Sequence, residues 1–246
     1  MQSGNPVLSA KAWAKVGVVE RQRGGAMTVQ GCVTKTAILL GCLMATSIFT
    51  WRVALAQPAA AVPWLWGGLI GGLVLAFVTI FKKTWAPVTA PLYALAEGLA
   101  IGAISCLLNQ RFPGIAIQAA GLTFGVLLAM LVAYKVRLIR VTARFRSGVI
   151  AATGGIFLFY MLTWVLRLFG VNLGIVQSAG LLGIGFSLFV VVIAALNLVL
   201  DFDFIEAAAA QGAPRYMEWY GAFALMVTLV WLYIEILRLL SKLNRR

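Results

Sequence analysis

Few residues of this sequence could do acid–base or metal chemistry, because only seven acidic side chains and no histidine occur among its 246 residues. One of them, Glu97, lies about 11 residues inside an apolar segment that starts near residue 86. At about 1.5 Å per helical residue it would lie about 16 Å deep, close to the middle of a bilayer. An ionisable group there is costly, which indicates a proton- or cation-binding carboxylate facing the interior of a helical bundle. The alternative is a hydrogen-bonded carboxyl that only holds helices together.

A second acidic cluster begins where a later apolar segment ends, near residue 200. Asn197 and Asp201 are one helical turn apart and therefore share a helix face, whereas Asp203 points elsewhere. Glu218 begins the next apolar segment on the same side of the membrane. Because hard cations prefer oxygen ligands, these side chains predict a pore mouth, with Asp201 and Asp203 as candidate calcium contacts.

The same cluster also fits a plainer interpretation, a solvated segment beside a basic surface. Arg144 and Arg146 are then the candidate partners of its carboxylates. Glu235, near the far end of the last apolar segment, is predicted to lie at the membrane interface, where Arg238 on the same helix face could pair with it.

Composition excludes most classes of soluble protein. The chain is 62% apolar and 11% charged, with a mean hydropathy of +0.97, whereas soluble domains carry about 25% charged residues. We attribute its formal charge of +13 to loops that orient membrane helices and not to nucleic-acid binding. Without histidine or a GxSxG nucleophile elbow, a membrane enzyme is disfavoured. The three cysteines fit no zinc or thioredoxin spacing, so neither a disulfide framework nor a cofactor is expected.

Seven apolar segments are each long enough to cross a bilayer, which takes about 20 residues as a helix. The sequence therefore predicts an all-α membrane protein, a seven-transmembrane-helix bundle with short connections. Residues 1–31 are predicted to be a mobile basic cytoplasmic tail, and residues 32–246 the polytopic transmembrane domain. The predicted spans cover approximately residues 36–56, 64–81, 86–108, 114–134, 148–169, 178–200 and 218–240.

The distribution of Lys and Arg predicts the orientation of the bundle, because basic loops stay in the cytoplasm. The link between the second and third spans holds Lys82 and Lys83, and the link between the fourth and fifth spans is also strongly basic. These links and the N-terminal tail are therefore predicted to be cytoplasmic. Seven crossings then place the C-terminus outside, against the preference of its own basic residues Arg238, Lys242, Arg245 and Arg246.

Glycines recur four residues apart in three of the spans. This spacing lets helices approach closely, either within one bundle or across a dimer interface. The three pairs are Gly68 with Gly72, Gly98 with Gly102, and Gly121 with Gly125.

Five short strings of the sequence match no general motif: residues 147–155, Tyr93-xxx-Glu97-Gly98, Ile184–Ser187, Asn197–Glu206 and Tyr216–Tyr220. Together they resemble the bacterial branch of the Bax inhibitor-1 family, also called the transmembrane Bax inhibitor motif family. The resemblance runs from about Met27 to Leu240. It implies a seven-helix bundle whose last helix lies centrally, a bacterial plasma membrane, and a pH-sensitive Ca²⁺ leak.

The resemblance also implies a gate, which better-studied members form from two aspartates that share a proton or a hydrogen bond. Asp201 falls on the first of these, at the end of the sixth helix. An alignment on the string Arg238–Leu240 places Thr228 at the second, with Met226 nearby, and neither is acidic. The aspartate pair is therefore not preserved, and Glu97 could supply the missing carboxylate from another helix.

Two functions follow as expectations. The first is a cation leak channel in which Glu97, Asp201 and neighbouring polar residues line the path, and in which protonation of intramembrane carboxylates controls the gate. Its partners are the lipid bilayer, Ca²⁺ and protons. The alternative is a non-conducting regulator that binds a membrane protease or a stress-response protein.

Overall fold

The computed structural model describes residues 25–170, 178 and 180–245, and this part of the chain forms seven long helices. All seven are long and apolar enough to cross a membrane, which confirms the predicted seven-transmembrane-helix architecture. Two 3₁₀ turns, Pro58–Ala61 and Lys83–Trp85, join consecutive helices. The helices are α1 (Val29–Ala56), α2 (Val62–Phe81), α3 (Ala86–Arg111), α4 (Ile115–Lys135), α5 (Ala143–Leu168), α6 (Leu181–Ala210) and α7 (Met217–Leu243).

Local signals set several helix ends. The Thr28 hydroxyl accepts a hydrogen bond from the Gly31 amide at 2.9 Å, and Thr142 accepts one from the Phe145 amide at 3.2 Å. Both threonines thereby satisfy an amide that has no partner inside its helix. Between α3 and α4 the chain turns at Gly114, whose φ of 85° favours glycine.

The first helix begins earlier than the sequence predicts. It starts at Val29, directly after the Thr28 cap, so the last residues of the predicted tail are helical. Residues 1–24 of that tail lie outside the described residues, as do Asn172 and Gln177, which the sequence places in a loop.

The sixth helix continues ten residues past its predicted end and includes the whole acidic string. The string alternates acidic with apolar side chains, and Ala207–Ala210 follow it. Alanine is the best helix former, so nothing in this stretch stops the helix at the membrane boundary. The expected pore-mouth segment is therefore the last part of α6, and its side chains point to different neighbours.

The seventh helix lies at the centre of the bundle. It packs against α1, α3, α4 and α6, and a side-chain hydrogen bond joins it to α5. Met226, Leu232 and Leu237 on α7 are almost completely inaccessible. The central position implied by the family resemblance is confirmed.

Glycines allow α3 to approach both α1 and α2. A Cβ at Gly68 would lie 2.6 Å from the Ala96 carbonyl oxygen, and one at Gly98 or Gly102 would overlap the backbone of α1. By contrast, Gly121 and Gly125 on α4 have nothing near the place of a Cβ. Two of the three predicted glycine pairs are thus packing positions within the bundle, and the third is not.

Candidate functional site

Asp201 and Thr228 join the sixth helix to the central seventh helix. The Thr228 hydroxyl donates a hydrogen bond to Asp201 Oδ2 at 2.6 Å, and the Ala224 carbonyl, at 3.3 Å, is its weaker alternative acceptor. Thr228 is buried and Asp201 is half-buried. A hydrogen bond to a carboxylate is about twice as strong as one between neutral groups, so this contact holds α6 against α7 while Asp201 is ionised. We call it the Asp201–Thr228 latch.

Asn197 belongs to a different contact. Its side-chain amide donates to the Thr153 hydroxyl at 2.8 Å and to the Ile193 carbonyl at 2.9 Å. Asn197 therefore ties α6 to α5. Asn197 and Asp201 share a helix but have different partners, Thr153 on α5 and Thr228 on α7.

The remaining acidic residues of α6, Asp203 and Glu206, pair with a basic and a phenolic side chain. Arg146 Nη2 lies 2.5 Å from Asp203 Oδ2, and both side chains are partly exposed. The Tyr134 hydroxyl donates to Glu206. The structure thus pairs Asp203 with Arg146 at the surface, and the predicted calcium contacts of Asp201 and Asp203 stay a prediction. Among the described residues, no three His, Cys, Asp or Glu side chains are arranged to hold a metal ion.

Glu218 holds the starts of α1 and α7 together. It is buried, forms an ion pair with Lys35, and accepts hydrogen bonds from the Thr28 amide and hydroxyl, each at 2.9 Å. The sequence placed Glu218 at a pore mouth beside the α6 acids. In the structure its carboxylate pairs with Lys35 and Thr28, because α1 begins early enough to bring both residues to it.

Glu97 lies half-buried where α3 crosses α2. A Cβ at Gly72 would lie 2.7 Å from Glu97 Oε1, so the carboxyl rests on this glycine. Tyr93, one turn earlier, is its hydrogen-bonding neighbour, and the Tyr93 ring packs edge-on against Phe223 of α7 at 5.0 Å. None of the ion pairs among the described residues includes Glu97.

Glu97 does not replace the missing aspartate. Its neighbours are on α2 and α3, whereas the group that faces Asp201 is the Thr228 hydroxyl. Among the contacts of the described residues, none joins Glu97 to Asp201. The alignment that placed Thr228 opposite Asp201 agrees with the contact in the structure.

A family model for Bax inhibitor 1 like proteins matches residues 5–245, nearly the whole chain. The chain belongs to the Bax inhibitor 1 like family. No curated protein and no solved structure matches it.

This Bax inhibitor 1 like protein also has a buried polar cluster that the sequence did not predict. Glu235 is only 1% exposed; Arg238 Nη1 lies 2.7 Å from its carboxylate, and the Tyr160 hydroxyl of α5 donates to it at 3.1 Å. Lys242 is 2% exposed and donates to the Gly183 carbonyl and the Ser187 hydroxyl of α6. Glu235 is thus buried between helices, and its predicted pairing with Arg238 is confirmed.

The signal for this cluster is the spacing along α7. Glu235, Arg238 and Lys242 follow one another at intervals of three and four residues, which places them on one helix face. On a central helix, such a face meets other helices and not the headgroups. Side chains near the end of a span can therefore be buried in the protein when other helices surround that span.

Proposed function

We propose that this Bax inhibitor 1 like protein is a pH-sensitive cation leak of a bacterial inner membrane, with Ca²⁺ among the ions it passes. The observation that carries the proposal is the 2.6 Å hydrogen bond from Thr228 to Asp201. It joins the two positions to which the family resemblance assigns the gate. A single carboxylate and a hydroxyl would thereby do what two acids do in better-studied members.

The latch acts on the helix best placed to control a path through the bundle. Because α7 contacts most of the other helices, a shift of α7 against α6 changes the packing of the whole interior. An ionised Asp201 accepts a charge-assisted hydrogen bond, and a proton on Asp201 removes that extra strength. Acid therefore favours the open state, a population shift between two packings.

Two other carboxylates near the start of α7 already have basic partners. Glu218 is paired with Lys35, and Asp203 with Arg146, so neither competes for the Thr228 hydroxyl. With one free acid in the latch, we expect flux to follow the titration of a single proton. Two acids that share a proton would titrate as a coupled pair and give two macroscopic steps.

Ca²⁺ flux into liposomes that hold the purified full-length protein tests the proposal. Thr228→Val keeps the shape of the side chain and removes the hydrogen bond. Since a hydrogen bond to a charged group contributes about 1.5–3 kcal/mol, we expect resting flux at neutral pH to rise roughly tenfold or more. Asp201→Asn should raise flux and remove its dependence on acid.

Thr163→Val is the matched control, because the Thr163 hydroxyl bonds only to the Tyr160 carbonyl of its own helix. It should behave as the wild type. Folded protein that gives no flux above empty liposomes at any pH would refute the leak. The non-conducting regulator would then be the function to pursue, through protein partners that co-purify with the chain.

We also propose that the N-terminus is cytoplasmic. The α2–α3, α4–α5 and α6–α7 links lie at the same end of the bundle as the start of α1, where the Met27 amide donates to the Ala213 carbonyl at 2.7 Å. These links hold most of the basic loop residues. At the other end, Arg238 and Lys242 bond to other groups of the bundle, so half of the C-terminal basic residues that opposed this orientation are not loop residues.

A further inference from the structure

A groove of about 530 Å³ runs along the side of the bundle between α1 and α4, with α3 and α7 at its floor. One wall is formed by α1 from Leu40 to Leu55, so the groove is about 22 Å long at the helical rise of about 1.5 Å per residue. Met44, Ile48 and Phe124 on its walls are all more than 40% exposed. The groove therefore opens sideways, toward the surrounding membrane.

The floor and walls of the groove are apolar, and their few hydroxyls already have partners. Ser105 and the Tyr233 hydroxyl are 2.8 Å apart, Thr123 donates to the Ala119 carbonyl, and Ser47 donates to the Gly98 carbonyl. An apolar cavity of this kind does not hold water well. The groove is unsuited to a hydrated cation, and hydrocarbon suits it.

One charged group stands at the end of this apolar groove. Arg52, on the last turn of α1, lines it, is exposed, and takes part in none of the ion pairs of the described residues. Near the end of a membrane span, its guanidinium lies at the depth of the lipid headgroups. Guanidinium binds phosphate through two parallel N–H groups, so Arg52 matches a phospholipid headgroup.

We propose that the groove binds one anionic phospholipid, with an acyl chain between α1 and α4 and the headgroup phosphate on Arg52. One leaflet of hydrocarbon is about 15 Å deep, so the groove accommodates an extended chain along its length. Its volume lies in the range of ordinary ligand pockets. The occupant comes from the bilayer because the groove opens to lipid and not to water. This site does not depend on ion conduction.

Native mass spectrometry of the detergent-purified protein tests the proposal. The protein is mixed with phosphatidylglycerol or with phosphatidylcholine carrying the same acyl chains. We expect one phosphatidylglycerol to bind preferentially. Arg52→Gln should weaken phosphatidylglycerol binding about fivefold, since one cation near an anionic headgroup contributes about that much. Phosphatidylcholine binding should fall less, because the choline ammonium offsets the charge of its phosphate.

Ala120→Phe places a ring in the groove and should abolish binding of both lipids. Two variants are matched controls: Arg167→Gln removes an exposed arginine from the same end of the bundle, and Gly121→Phe adds a ring where nothing lies near the glycine. Both controls should bind as the wild type. Equal binding of the two lipids by the wild type would overturn the proposal. Unchanged phosphatidylglycerol binding by Arg52→Gln would overturn it as well, even if Ala120→Phe failed to fold.

Discussion

Glu235 is a buried carboxylate whose stability depends on its neighbours from two helices. Arg238 and Tyr160 satisfy it, and the Arg238 and Tyr160 side chains also contact each other at 2.5 Å. Removing one partner of a buried ion pair leaves an uncompensated charge, which costs far more than breaking an exposed pair. An ion pair should therefore contribute more to stability at Glu235 than at an exposed carboxylate such as Asp203.

Glu235→Gln should lower the free energy of unfolding by about 2 kcal/mol, because Arg238 loses its counter-charge, although its own side chain is one third exposed. Asp203→Asn is the matched comparison: it breaks the exposed pair with Arg146 and should cost no more than about 1 kcal/mol. Thermal unfolding of both variants in one detergent measures the difference. Equal losses would mean that Glu235 is not the buried partner of Arg238.

Residue-level prediction succeeded where a position could be compared with a known pattern and failed where burial decided the outcome. The alignment placed Thr228 opposite Asp201, and the hydrogen bond between them agrees with it. Glu235 was expected to face the headgroups because it lies near the end of its span, but sequence position along a helix does not show what its side chain faces. α7 is surrounded by other helices, so Glu235 and Lys242 near its end are buried against them.

At the scale of elements, contact between helices depends on backbone approach more than on apolar area. Lipid tails are as apolar as leucine, so membrane helices gain by close packing at small residues. The apolar segments were long enough to predict all seven helices. They could not predict which glycines face a partner, because sequence spacing is identical at Gly98 and Gly102 and at Gly121 and Gly125.

Gly102→Ala tests this difference. A Cβ there would overlap the Ser47 carbonyl, which is backbone and cannot turn away, so we expect a loss of about 1–3 kcal/mol in the free energy of unfolding. Gly121→Ala adds the same methyl group where nothing lies near it and should leave stability unchanged or slightly higher. Thermal unfolding in detergent distinguishes them. A Gly102→Ala variant as stable as the wild type would contradict the close packing of α1 on α3.

At the scale of the whole molecule, the basic residues near the C-terminus affect the predicted orientation in the membrane, because some of them bond inside the bundle. Basic residues orient a membrane protein when they stay in loops, and a lysine that bonds a carbonyl inside the bundle does not take part. Lys242 is such a residue, with the Gly183 carbonyl and the Ser187 hydroxyl as acceptors. The basic links at the opposite end therefore outweigh the tail, and the C-terminus should lie outside the cytoplasm.

Labelling of single introduced cysteines with a membrane-impermeant maleimide checks this orientation in intact cells. Leu138→Cys and Asn244→Cys change no charge, and both positions are exposed at opposite ends of the bundle. The native cysteines need no removal for a comparison against the wild type, since Cys32 and Cys106 are buried and the half-buried Cys42 lies within the α1 span. We expect Asn244→Cys to react from outside and Leu138→Cys to react only after the cells are opened. If Leu138→Cys reacts from outside and Asn244→Cys does not, the bundle has the opposite orientation. If neither position reacts until the cells are opened, α7 does not cross the membrane.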